Sequence, residues 1–194
     1  MIHKLLRTVL ILVCAISVCT KPLAYAQDAF AAEAVFQEYQ LKAAFLLNFA
    51  KFIDWPYTAF PNDKAPLVIG VVGKDPFGST LDKIAKNQII QERKVVVKKF
   101  RQIHDVKICQ ILFIDKSEEE SLSAILDFLK GKNILTVSDM EHFAANGGMI
   151  QFIKQDNKIR FEINTDAALR KDLKISSKLL NLAQITKAVS SQAG

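Results

Sequence analysis

Apolar residues recur at two different spacings along the chain, and the alternation between the two lays out its elements. From residue 36 to residue 53 they fall at helical spacing, which predicts a first helix. Pro66 then leads into 67–72, LVIGVV, an unbroken run rich in β-branched residues of the kind buried on both faces of a sheet. Asp75 and Pro76 predict the next helix start, the carboxylate capping free N–H groups and the proline taking the first helical position, with the helix reaching residue 86. Segments 95–100 and 110–114 read as a second and a third strand. Ser117 and Glu120 form a capping box that opens a helix ending before Gly131. After a fourth strand at 134–137, Ser138 and Glu141 predict another capping box and a short helix that stops before Asn146, Gly147 and Gly148. Segments 149–153 and 158–163 flank the polar turn Gln155, Asp156 and Asn157 as a β-hairpin, and 167–171 and 175–189 complete the chain as helices. This order predicts a single-domain α/β sandwich, with a mixed, largely parallel sheet flanked by helices and a C-terminal β-hairpin. Within the hairpin Arg160 to Asn164 alternates, so Phe161 and Ile163 face inward while Arg160 and Glu162 point the other way.

The N-terminus carries a different pattern. Lys4 and Arg7 precede an uncharged apolar run that ends near Ala24, Tyr25 and Ala26, which reads as a signal peptide over 1–26 cleaved before Gln27. The run is shorter than the roughly 20 residues of a spanning helix. A lead-in at 27–38, a domain at 39–189 and a tail at 190–194 follow. Removing the signal takes away three basic residues and no acidic ones, and leaves a net charge of +3, a weak electrostatic basis for nucleic-acid binding. Cys14 and Cys19 leave with it, so Cys109 has no partner for an internal disulfide and sits in an apolar run as a buried thiol.

Catalytic and cofactor motifs are mostly missing. Gly73 to Thr80 stands between a strand and a helix with P-loop glycine separation, yet Ser79 occupies the place of the lysine and Pro76 removes a backbone donor. What survives is a candidate loop for a small anion, made by Gly73, Lys74, Asp75, Gly78 and Ser79. His104 and His142 lie on separate segments without metal-ligand spacing, so no metal or other cofactor is expected. His104 and Asp105 could be an acid/base pair only if a further acid converged on them. The acidic triplet Glu118 to Glu120 opposes a helix dipole, and Arg93, Lys94, Lys98, Lys99 and Arg101 form a basic cluster suited to a solvated or edge-protecting face, or alternatively to anionic lipid headgroups.

The first helix is more apolar than one stripe requires. Leu41, Phe45, Phe49 and Phe52 share one face and Leu46, Phe49 and Ile53 an adjoining one, whereas packing on a sheet needs about 100° of arc. The excess either lies deeply buried in the chain's own domain or marks part of the Phe45, Phe49, Phe52 and Trp55 surface as an interface for a partner or a second copy.

Segment 39–56, YQLKAAFLLNFAKFIDWP, resembles the opening of the YfiR family of periplasmic proteins. IGVVGKDPFG at 69–78, CQILFI at 109–114, LTVSD at 135–139, GGMI at 147–150, RFEIN at 160–164 and ISSKLLNLA at 175–183 resemble that family's later blocks, in its order. The resemblance implies an exported, often dimeric α/β sandwich without catalytic residues. It also implies a regulator that binds and represses the periplasmic part of an inner-membrane diguanylate cyclase, and so controls cyclic-di-GMP and biofilm formation. Family members often carry paired cysteines that link redox state to folding, and the lone Cys109 departs from that pattern. The alternative is a periplasmic protein that binds or senses a small ligand, or takes input from an outer-membrane protein; an exported hydrolase is a third class.

Overall fold

A computed structural model describes residues 21–187, with side chains from Phe30 onward. Most of the predicted signal segment and the C-terminal tail lie outside the described residues. The described residues divide into two units, with the boundary between Glu38 and Tyr39.

Helix α1 is Lys21–Lys51, fifteen residues longer at its start than the apolar pattern predicts. Six alanines between residues 24 and 34, with Glu33 and Gln37 bonded one turn apart at 2.9 Å, give this stretch helical propensity without an apolar stripe. In the second unit β1 (Ile53–Asp54) pairs antiparallel with β9 (Lys174–Ile175) as a separate two-stranded sheet that the sequence reading missed. The main sheet contains β2 (Leu67–Val72), β3 (Ile89–Ile90), β4 (Arg93–Phe100), β5 (Ile111–Ile114), β6 (Leu135–Ser138), β7 (Ile150–Gln155), β8 (Lys158–Asn164) and β10 (Gln184–Thr186). Their order is β10-β8-β7-β6-β5-β2-β4-β3. Strands β4, β2, β5, β6 and β7 are parallel, β3 runs antiparallel to β4 and β8 to β7, and β10 lies parallel to β8. The mixed, largely parallel α/β sheet is therefore present, with its hairpin followed by one further edge strand.

Successive residues of the central strands serve opposite faces. Leu67, Ile69 and Val71 of β2 join Ile111, Phe113, Leu135 and Val137 in a core with Ala43, Leu46, Phe49 and Ala50 of α1. Val68, Val72, Leu112 and Ile114 face the other way, toward Leu122 and Ile125 of α3 (Leu122–Phe128). Gly70 completes this second layer by necessity: a Cβ there would lie 2.8 Å from both Cys109 Sγ and the Phe100 ring. Phe161 and Ile163 are buried, as the alternation requires.

Several caps act differently from the sequence expectation. Asp75 does not open a helix at Pro76: its carboxylate accepts the Phe77 N–H at 2.9 Å, the chain passes through Gly78 at φ +54°, and α2 begins only at Thr80 (Thr80–Ala85). Ser117 does not cap the following helix, because its hydroxyl takes the Lys74 N–H; Asp115 caps instead, opening a 3-10 segment, Lys116–Ser121, ahead of α3. No helix forms over 139–147, where His142 adopts φ +58° and the Ser138 hydroxyl donates to the Ile114 carbonyl. Helix α4 is Thr165–Leu169, capped by Asn164. The long helix predicted at 175–189 is a single capped turn, α5 (Ser177–Leu180), because pairing of Gln184, Ile185 and Thr186 with β8 takes over the rest of its described length.

Candidate functional site

Four aromatic residues of α1 and its exit were expected to offer a common surface, and the fold separates them. The face that meets the sheet is Ala43, Leu46, Leu47, Phe49 and Ala50. Phe49 is fully buried, its ring centroid 5.1 Å from Phe161 and 5.7 Å from Phe152. Phe45, one turn earlier, touches the same rings at 5.6 and 6.0 Å but is only half-buried. Leu41 is 45% exposed, Phe52 and Trp55 are half-buried, and the Trp55 indole N–H is enclosed without an acceptor. The helix therefore turns Leu41, Phe45 and Phe52 along one flank, beside the face that packs.

Beneath this helix lies a polar cluster that the sequence reading did not assemble. Lys42 and the Asp139 side chain are both over 90% buried, with Nζ 2.6 Å from Oδ2. The Tyr39 hydroxyl donates to the same oxygen at 2.8 Å, and the Lys42 ammonium lies 4.4 Å from the Tyr39 ring centroid. Oδ1 of Asp139 is buried without a hydrogen-bond partner. A lysine at a position shared with Leu46 and Phe49 on the wheel is the signal that an acid must meet it inside; the sequence does not say which acid.

The candidate anion loop sits where open α/β sheets hold ligands. Strand order reverses at β2, so the crevice beyond the C-terminal ends of β2 and β5 is the topological switch point. Here the chain's own groups fill it. Gly73, at φ +93°, backs onto Ser117, whose hydroxyl oxygen would be 2.8 Å from a Cβ at that position. The Lys74 N–H donates to that oxygen and the Thr80 N–H to the Phe77 carbonyl. Lys99 closes the outside, bonding the Gly78 carbonyl and Asp75 at 2.7 Å each and lying 3.3 Å from Asp82, and these carboxylates raise its pKa. Gly78 and Ser79 are exposed beyond this clasp.

Other candidate chemistry stays dispersed. His104 packs edge-on against Phe128 and His142 occupies an exposed turn. No group of three or more His, Cys, Asp or Glu among the described residues could hold a metal ion. Cys109 is buried, its thiol donating to the Ile111 carbonyl, and burial pushes its pKa up to about 12, which makes it a poor nucleophile. Of the basic cluster, Arg93 stacks on Phe60 and donates to the Asn62 and Ala65 carbonyls, so it and Lys99 have structural work. A cavity of about 550 Å³ between α3 and the 140–147 turn is lined by Glu119, Glu120, Asp127 and Glu141 and contains none of the residues predicted for the interface or the anion loop.

No helix among the described residues is long and apolar enough to cross a membrane. A family model described as YfiR/HmsC-like matches residues 39–184, well over half of the chain and nearly the span of the resembling blocks. No curated protein matches.

Proposed function

The chain belongs to the YfiR/HmsC-like family, and we propose on that premise that it is a periplasmic regulator that binds the periplasmic part of an inner-membrane diguanylate cyclase and represses it. Export by a cleaved signal peptide at 1–26 brings it to that compartment, and its action is by docking rather than by a catalytic step. The observation that carries the reading is the family match over residues 39–184. The flank of α1 supplies a docking surface in keeping with it. Leu41 is exposed and Phe45, Phe52 and Trp55 are half-buried, so each retains apolar area that a partner can cover, and aromatic side chains are frequent interface anchors. Phe49 belongs to the core and supports that surface from below. A second copy of the chain would use the same flank in a homodimer.

The test is genetic. Deleting the gene should raise cyclic-di-GMP and biofilm formation, and restoring the full chain should reverse both. Unchanged nucleotide levels in a strain that expresses a periplasmically exposed diguanylate cyclase would contradict the proposal.

A further inference from the structure

Away from α1, two turns bring four cations together. Lys130 and Lys132 flank Gly131 after α3, while Arg170 and Lys171 follow α4. The turns are tied to each other: the Lys171 ammonium donates to the Leu129 carbonyl, and the Asn133 side-chain amide donates to the Lys171 carbonyl at 2.8 Å. Between them lies a cavity of about 230 Å³ whose wall includes Lys130, Arg170, Lys171, Thr136 and Asn146. Asp127 is the single carboxylate on this wall, and it is bound to Lys130 at 2.8 Å. Burial and then the charges of Lys130, Lys132 and Arg170 lower the pKa of Lys171, so these cations sit within one another's field. Like charges held around a concavity repel unless an anion enters it.

We infer that this cavity binds the phosphate group of a small phosphomonoester, with Arg170 gripping it by its planar fork and Lys130 and Lys171 supplying point charges. A tetrahedral dianion, with more acceptor oxygens than a carboxylate, suits a wall that carries Lys130, Arg170 and Lys171, and the cavity is too small for a bulky ligand. The site is independent of the α1 flank and of the repression proposed above.

The full chain should be titrated by calorimetry with glycerol 3-phosphate, with inorganic phosphate, and with vesicles of phosphatidylglycerol. Saturable one-to-one binding of glycerol 3-phosphate is expected, and Arg170→Gln and Lys130→Gln should each weaken it at least about tenfold. Both replaced side chains have exposed ends, and melting curves will show whether the variants stay folded. Lys94→Gln, which removes an exposed charge on β4, should leave affinity within about twofold if specific contacts rather than net charge hold the anion. Three results would overturn the inference: no saturable binding of either free anion, an equal loss in Lys94→Gln, or binding of vesicles alone, which would assign the cations to a membrane surface.

Discussion

On one face of the sheet α1 meets a layer of rings, with Phe49, Phe77, Phe113, Phe152 and Phe161 buried and Tyr39, Phe45, Phe52, Trp55 and Phe60 packed around them at partial exposure. On the other face Val68, Val72, Leu112, Ile114, Leu122 and Ile125 form an aliphatic layer in which Phe143 is the buried phenylalanine. The aliphatic layer closes by bringing backbone close to side chains, at Gly70 against Cys109 and at Gly148 against Phe143. The aromatic layer closes differently, since its outer rings extend past the edge of the helix contact and keep area in solvent. The aliphatic face has partly buried side chains of its own, Phe100, Ile103, Leu126 and Phe128, and the aromatic rim of Phe45, Phe52 and Trp55 is the partly exposed surface that the proposal assigns to a partner.

Truncation on the aromatic face at a buried position should have the largest effect. Phe49→Ala removes a fully buried ring in contact with Phe45, Phe152 and Phe161 and should cost about 3–5 kcal/mol in a urea titration. Enlargement should harm the aliphatic face more than truncation at the rim harms the aromatic one. In Gly148→Ala the new Cβ would lie 2.2 to 2.5 Å from carbons of the buried Phe143 ring, and the forced shift should cost about 1–3 kcal/mol. Wild-type stability in this variant would show that the layer has slack.

Cys109 gives a smaller effect that depends on pH. Its thiol ionises near 9 when free and near 12 in the fold, so above pH 9 the unfolded chain loses a proton that the folded chain keeps, and stability falls as pH rises. The loss should reach roughly 1 kcal/mol by pH 10, and Cys109→Ala should remove that part of the slope between pH 8 and pH 10. Identical slopes for the two proteins would mean that the thiol ionises as readily in the fold as outside it.

How much of this was legible follows from the range of each interaction. Strand runs such as Leu67–Val72 and the Asp156–Asn157 hairpin turn, with φ of 49° and 57°, are local and were readable from spacing and turn chemistry. The caps misled because a side chain has few bonds to give: Ser117 and Asp75 were spent on Lys74, Phe77 and Lys99, partners set by the tertiary fold. Residues 184–186 became a strand because β8 offered an edge, which no local pattern records. At the candidate surface the excess of apolar area was visible on a helical wheel. Which rings the sheet would cover was not, and Phe49 proved to be core while Leu41 stayed exposed.

The central claim is that the rim of the aromatic face is a docking surface, and the most direct measurement takes Phe52→Ala and compares its melting temperature with its affinity for the periplasmic part of the proposed partner, a diguanylate cyclase. A half-buried ring at the end of α1 should cost little stability, lowering the melting temperature by no more than about 3 °C, while affinity falls at least about tenfold. Full affinity in Phe52→Ala, Phe45→Ala and Trp55→Ala, or affinity that declines only in step with stability, would show that these rings serve the core alone and would contradict the account.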